Sequence, residues 1–92
     1  MPTACARHIL VKTKAEAEKL KQKIANGDDF GEIAKKYSHC SSAKRGGNLG
    51  EFGPGQMVKA FDQVVFKKPI LTVHGPIKTQ FGFHLIETIY RD

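Results

Sequence analysis

Two apolar segments rich in β-branched residues lie near opposite ends of the chain, at residues 4–12 and 82–90, and they restrict the possible folds more than any other feature. In the first segment alternate residues form two sets, one of which is Arg7, Ile9 and Val11. Apolar residues in both sets predict a strand that is buried on both faces. Because 92 residues can enclose one small core and no more, we predict a single domain over residues 1–92.

Two amphipathic helices are predicted directly after the first strand. Thr13 and Glu16 match a capping box at the start of the first helix, and Asp29 and Glu32 repeat this signature at the start of the second. Helical spacing gives the second helix one narrow apolar stripe, which consists of Phe30, Ile33, Ala34 and Tyr37. We expect both helices to pack on one face of a sheet.

The second half of the chain is predicted to supply the remaining strands through short connections. Residues 38–55 are rich in serine and glycine and contain one short strand segment at 49–52, whereas apolar spacing predicts a helix over 57–66. Residues 70–78 are predicted to form an edge strand, because two prolines near it would be badly placed in a central strand. Short connections favour antiparallel or mixed pairing over repeated βαβ units. The sequence thus predicts an α+β domain.

The basic charge of the chain raises the question of a nucleic-acid partner. Fifteen basic and nine acidic residues give a formal net charge of +6. Most lysines between residues 12 and 45 occupy solvent-facing helix positions and alternate with glutamates, which is typical of a solvated helix face. No apolar run approaches the roughly 20 residues that span a bilayer, and the first residues lack the pattern of a secretion signal. We therefore expect no obligate nucleic-acid partner and no membrane association.

The cysteine content bears on the location of the protein. Cys5 and Cys40 can form at most one disulfide, far from the density of cysteines in small secreted scaffolds. We therefore expect a reducing, cytoplasmic environment. We also expect the domain to be a monomer.

The groups available for chemistry are mainly histidines and cysteines, because the carboxylates lie mostly on helices and turns. His8 and His84 each stand near the start of an apolar strand segment, so the two imidazoles would meet inside the sheet if those strands were neighbours. The alternatives are two separate core histidines, or a nucleophile pair of Cys40 with a histidine. A metal site built from Cys5, His8, His39 and Cys40 lacks the usual ligand spacing, so we predict no metal site and no cofactor.

Two patterns in the second half concern possible binding surfaces. The run from Gly46 to Gly50 invites comparison with phosphate-binding loops, but no strand precedes it and no helix begins from it. We therefore predict that these glycines form turns. Met57 and Phe61, one helical turn apart, are either core residues or the walls of an apolar slot.

Five short motifs occur in order across nearly the whole chain, and they are His8–Lys12, Cys40–Phe52, Gly55–Val58, Gly75-Pro76 and Thr79–His84. Together they resemble the parvulin family of peptidyl-prolyl cis/trans isomerases, in particular its small free-standing bacterial type. The resemblance implies a four-stranded antiparallel sheet surrounded by helices, a parvulin-like arrangement of the FKBP-like superfold.

The resemblance also implies a role for particular side chains. The implied catalytic residues, in which the two histidines form a buried pair and the cysteine lies beside the reacting imide, are His8, Cys40, Thr79 and His84. The residues implied to hold the proline ring are Leu49, Met57 and Phe61, and Phe81 is implied to extend the apolar rim toward the residue before proline.

The implied substrate is an extended, proline-containing polypeptide, whose X–Pro bonds the protein would rotate by a noncovalent mechanism. Phosphate-dependent relatives carry an arginine-rich insertion after the first strand, where this chain has only Lys12-Thr13-Lys14, so we expect no phosphate specificity. His39 stands where some relatives have an acidic residue. The alternative function is a noncatalytic peptide-binding or chaperone module that uses the same apolar cleft.

Overall fold

The structure, a computed structural model, describes residues 3–92. Two helices follow the first strand, a 3₁₀ helix (Ser41–Arg45) precedes the second strand, and the last two strands are consecutive. The remaining elements are β1 (Ala4–Val11), α1 (Lys14–Ala25), α2 (Phe30–Tyr37), β2 (Asn48–Phe52), α3 (Lys59–Lys67), β3 (Val73–Thr79) and β4 (Gly82–Arg91). Among residues 3–92, no helix is both long enough and apolar enough to cross a membrane.

The four strands form one antiparallel sheet in the order β2-β1-β4-β3, so the predicted α+β fold class is confirmed. The two apolar terminal segments are the central strands, and β3 is an edge strand as predicted. In the β1/β4 register, Leu10 lies opposite His84 and His8 lies opposite Ile86. Directly opposed residues share a face, so both histidines project from the same face on diagonal positions.

Helices α1 and α2 cover the other face of the sheet. Their predicted N-caps are present, because the Glu16 N–H donates to Thr13 Oγ1 at 3.1 Å and the Glu32 N–H donates to Asp29 Oδ2 at 3.0 Å. The buried residues that join the two helices to β1 and β4 are Ile9, Val11, Ala17, Leu20, Phe30, Ile33, Ala34 and Leu85. Tyr37 belongs to the predicted stripe but is 41% exposed.

Helix α3 covers the histidine face. Its aromatic and aliphatic side chains pack on the small residues of β1, which let the helix approach the sheet closely. The buried residues of this second cluster are Ala4, Ala6, Phe52, Phe61, Val64, Val65 and Ile86. The sheet therefore separates two buried clusters, and His8 and His84 lie on the face that α3 covers.

The main differences from the sequence prediction are the starts of α3 and β3 and one additional element. The helix predicted from Met57 begins at Lys59, because Val58 keeps an extended backbone and serves as its N-cap. The edge strand begins at Val73 rather than residue 70, because the chain turns at Leu71, whose φ of 60° is left-handed. The serine- and glycine-rich loop contains the 3₁₀ helix, for which apolar spacing gave no signal.

Candidate active site

An apolar cleft of about 260 Å³ opens on the histidine face, between α3 and the loop that precedes β2. Seven of the eight residues singled out from the sequence line it, and the eighth, Thr79, contacts one of them. Leu10 and Val58 also line the cleft and were not predicted. The complete lining is His8, Leu10, Cys40, Leu49, Met57, Val58, Phe61, Phe81 and His84.

The two histidines form a hydrogen-bonded pair at the base of the cleft. Their Nδ1 atoms are 3.0 Å apart, and the rings are nearly parallel, with centroids separated by 5.1 Å. Both side chains are buried, at 5% and 4% exposure. The diagonal cross-strand placement in the β1/β4 register brings the two rings together. The structure therefore contains the predicted pair of imidazoles inside the sheet rather than two separate core histidines.

Thr79 links the pair to the β3/β4 turn. Its Oγ1 lies 2.7 Å from Nε2 of His84 and accepts a hydrogen bond from the Phe81 N–H at 3.1 Å. A hydrogen bond between two Nδ1 atoms needs one donor and one acceptor. If His84 donates, its Nε2 accepts from the Thr79 hydroxyl; if His8 donates, Nε2 of His84 carries a proton and donates to Thr79. The tautomers of the two rings are therefore coupled.

Burial keeps the histidine pair neutral. Desolvation, and to a lesser degree the nearby His84, lowers the pKa of His8 to about 4, and desolvation also lowers the pKa of His84. Nε2 of His8 is buried and has no hydrogen-bond partner among residues 3–92. Near neutral pH the base of the cleft thus carries no charge.

Phe61 stands edge-on to both imidazoles. Its ring centroid lies 5.5 Å from that of His8 and 5.7 Å from that of His84, at steep interplanar angles of 75° and 88°. Edge-to-face contacts of this kind fix ring orientation as well as burying area. Since α3 supplies Phe61 and the sheet supplies the histidines, this contact joins the two walls of the cleft.

Cys40 occupies the N-terminal end of the 3₁₀ helix, where Ser38 and β1 hold it. Ser38 Oγ accepts from the N–H of Leu10 at 3.0 Å and from the N–H of Cys40 at 3.4 Å. Partial burial alone would raise the pKa of the Cys40 thiol, but hydrogen bonds from Ser42 and Ser41 outweigh it and lower this pKa. The thiolate is therefore easier to form here than in a free cysteine.

Gly47 attaches the loop to β1 beside the histidine pair. The His8 N–H donates to the Gly47 carbonyl at 3.0 Å, and Gly47 has a φ of 86°. A Cβ at this position would overlap with the carbonyl oxygen of His8. The close approach that glycine permits directs the following strand, so that Leu49 faces the cleft.

Phe81 forms the outer rim of the cleft. Its side chain is 61% exposed, while its backbone N–H is held by Thr79. The apolar walls below it come from Leu49, Met57 and Phe61. The three residues expected to hold the proline ring and the one expected to extend the rim toward the residue before proline all line the cleft, and their roles stay predictions.

The alternative based on a metal ion finds no structural counterpart in residues 3–92. Within this range, no group of three or more His, Cys, Asp or Glu side chains converges on one point. Cys5 and Cys40 are both free thiols. What the cleft offers is an apolar cavity with a neutral, hydrogen-bonded base and one thiol at its side.

Comparison with known proteins agrees with this geometry. The family model for the rotamase PPIC-type PPIase domain matches residues 7–89. The foldase protein PrsA of Geobacillus sp. (strain WCH70) is 46% identical over 87 residues, which are 94% of this chain and 32% of that protein. The chain thus spans about a third of the length of this relative.

Solved structures show the same relationship. The crystal structure of PrsA from Bacillus subtilis has a TM-score of 0.91 and 42% identity, over 96% of this chain and 35% of that one. The solution structure of NmPin, the parvulin of Nitrosopumilus maritimus, has a TM-score of 0.87 and 41% identity, over 98% of both chains. With a family model that covers most of the sequence, these matches confirm the resemblance: the chain belongs to the parvulin family of peptidyl-prolyl cis/trans isomerases, through a domain of the PPIC type.

Proposed function

We propose that this isomerase acts on X–Pro bonds in extended, flexible polypeptide segments, without requiring a phosphate group and without a covalent intermediate. The observation that carries the proposal is the apolar cleft, whose walls are hydrophobic and whose base is an uncharged histidine pair. Uncatalysed X–Pro isomerisation takes tens of seconds or longer and limits the folding of many chains. An enzyme that shortens this step would serve as a folding catalyst.

The reaction requires no bond to be made or broken, only rotation of a partial double bond. The barrier of roughly 18–20 kcal/mol arises because twisting the amide removes its resonance. In the twisted state the carbonyl oxygen is less negative and the proline nitrogen regains a lone pair. An environment that favours the less polar species therefore lowers the barrier, and each reduction of about 1.4 kcal/mol accelerates rotation about tenfold.

The cleft meets this requirement through its shape and its lack of charge. Leu49, Met57 and Phe61 surround a cavity large enough for a proline ring, and the ring enters by displacing water from apolar surface. The carbonyl that precedes proline then lies in a weakly polar environment. Because the pKa of His8 is about 4, no imidazolium is present near neutral pH to stabilise the planar, more polar ground state.

Cys40 contributes without forming a bond to the substrate. Its thiol lines the cleft, and hydrogen bonds from Ser41 and Ser42 that lower its pKa would stabilise a thiolate as an electrostatic group. A thiolate near the carbonyl would disfavour the negative oxygen of the planar amide. This action needs neither an acyl intermediate nor a leaving group.

The connection between β1 and α1 supports an enzyme that does not require a phosphate. Only Lys12 and Thr13 lie between these elements. The hydroxyl of Thr13 is engaged as the N-cap of α1. A phosphate ligand would therefore find at this edge of the cleft neither a flexible loop nor an arginine cluster.

Location and assembly belong to the same proposal. Two free thiols are compatible with a reducing compartment, and we propose that the protein works in the cytoplasm as a monomer with proline-containing polypeptides as its partners. Sedimentation equilibrium tests the assembly state, and a dimer at micromolar concentration would contradict the monomer. Fractionation of the source cells tests the location.

The isomerase proposal is tested with a proline-containing peptide in a protease-coupled assay. We expect catalytic amounts of the protein to accelerate the slow cis-to-trans phase, with an apolar residue before proline preferred over a phosphorylated one. Peptide binding without any acceleration would instead indicate the noncatalytic chaperone module. A preference for the phosphorylated peptide would contradict the proposed substrate class.

A further inference from the structure

A second cavity, here called the basic pocket, lies on the opposite face of the sheet from the apolar cleft. Its volume is about 530 Å³. Arg7, next to His8 on β1, projects away from the histidine side and stacks over the Phe30 ring of α2. The residues that give the pocket its character are Arg7, Asp29, Lys35, Lys44, Arg45 and Asn48.

The basic pocket carries more positive charge than its own carboxylates compensate. Arg7 is paired with Glu87, at 2.6 Å between Nη2 and Oε1, and Asp29 is the acidic residue of the lining. Among residues 3–92, no carboxylate oxygen lies within 4.0 Å of the charged groups of Lys35, Lys44 or Arg45. Counted against the two carboxylates of Glu87 and Asp29, the four cations leave a net charge of +2 at the pocket, and this favours a ligand with at least two negative charges.

The pocket is held in shape by packing rather than by the charges themselves. The guanidinium of Arg7 lies 4.5 Å from the centroid of the Phe30 ring, and Glu87 fixes its other side. Gly46 is the C-cap of the 3₁₀ helix, and it packs so closely on Gly31 of α2 that an added Cβ would lie 3.2 Å from the Gly31 Cα. This contact sets the distance between the cations of the 3₁₀ helix and those of α2.

The arrangement of the cations points to a compact ligand. They come from three elements, β1, α2 and the 3₁₀ helix, and surround one cavity, whereas binding along a nucleic-acid backbone calls for a stripe of charge. The volume falls within the range of about 300–1,000 Å³ that small-molecule sites occupy. Two of the four cations are arginines, whose planar donors match the oxygens of a phosphate group.

We propose that the basic pocket is a binding site for a small phosphate-bearing anion, separate from the isomerase cleft. The site includes Lys35, Lys44 and Arg45 as charged contacts and Arg7 as a fixed donor. It does not depend on the mechanism of the cleft, because the two cavities share no lining residue.

The test is a titration of the protein with inorganic pyrophosphate at constant ionic strength, in which the amide NMR shifts of the protein are measured. We expect saturable shifts at Arg7, Lys35 and residues 44–48. The variant K35Q/K44Q/R45Q should lose about tenfold or more in affinity, since each exposed ionic contact contributes modestly. The matched control K36Q/K67Q/K68Q removes the same charge from exposed lysines that do not line the pocket, and it should bind as the unchanged protein does.

Three results would overturn the proposal. The first is the absence of saturable shifts at these residues. The second is an equal loss of affinity in the control variant, which would show that net charge alone attracts the anion. The third is binding of a tetraglutamate peptide or of single-stranded DNA at the same residues at least as tightly as pyrophosphate, which would identify an acidic protein or a nucleic acid as the occupant.

Discussion

Acidification is expected to destabilise the protein through the buried histidine pair. Burial and the neighbouring His84 lower the pKa of His8 from 6.5 to about 4, and burial also lowers the pKa of His84. The unfolded chain binds protons at both imidazoles below about pH 6.5, whereas the folded protein excludes them. The stabilisation is therefore complete above that pH and is lost as the pH falls toward the folded-state pKa of His8.

The magnitude can be worked out from His8 alone. With a pKa of 6.5 in the unfolded chain and about 4 in the folded protein, the free energy of unfolding falls by ~2 kcal/mol between about pH 7.5 and about pH 5. His84 acts in the same direction. A domain of this size has a total stability of roughly 5–15 kcal/mol, so the loss is a measurable fraction.

Urea unfolding over this pH range measures the effect. The lower end of the range lies above the pH at which most carboxylates titrate, so the histidines dominate the change. The variant H8Q lacks the titrating ring, so its unfolding free energy should change less with pH, whereas H39Q, which removes an exposed histidine, should follow the unchanged protein. A flat pH profile for the unchanged protein, or equal slopes in H8Q and H39Q, would refute the reasoning. If H8Q does not fold, an NMR titration of His8 that gives an ordinary pKa refutes it as well.

Three further predictions address the cleft and the turns. The variant C40A should retain isomerase activity within about tenfold of the unchanged protein in the protease-coupled assay, because no bond to sulfur is needed. A covalent peptide adduct at Cys40, detected by mass spectrometry, would contradict this. The variant G47A should lower the free energy of unfolding in urea by about 3 kcal/mol or more, because its Cβ would overlap with a backbone carbonyl of β1. The control G55A has a similar φ of 88° but open space around the added Cβ, so it should lower this free energy by only about 1 kcal/mol. Equal losses would show that the overlap is relieved. The variant L71N should raise the free energy of unfolding by about 0.5–1 kcal/mol, because asparagine tolerates a φ of 60° better than leucine does and the leucine side chain is 65% exposed. An equal gain from I70N, where φ is not left-handed, would argue against this cause.

The fold was predictable from the sequence because its strongest patterns coincide with its most buried elements. Residues 4–12 and 82–90 are apolar on both faces because they become the central strands β1 and β4. The capping signatures at Thr13 and Asp29 are local, so they could be identified without knowledge of the tertiary structure. The 3₁₀ helix could not, since five residues of serine, alanine and basic type carry no periodicity.

The cleft was predictable only in part. Apolar spacing left Met57 and Phe61 open between core and slot, and in the structure Phe61 is both, since it is buried in the α3 core and also lines the cleft. Val58 was missed because its place on the cleft depends on where α3 begins. Leu10 lies two residues after His8 on β1, so strand alternation already places it on the histidine face, a signal that the sequence prediction did not use.

The pH-dependent stability of the histidine pair and its proposed role in catalysis would have the same physical origin. The low-polarity surroundings that disfavour an imidazolium at His8 also disfavour the more polar, planar form of a bound X–Pro amide. A pair exposed to solvent would bind protons more readily, and its positive charge would stabilise the negative carbonyl oxygen of the ground state. The hydrogen bond between the two Nδ1 atoms gives one ring nitrogen of each histidine a buried partner, which lowers the cost of burying the two rings. A single imidazole at the position of His8 would have no partner for either ring nitrogen, since its Nε2 already has none among residues 3–92.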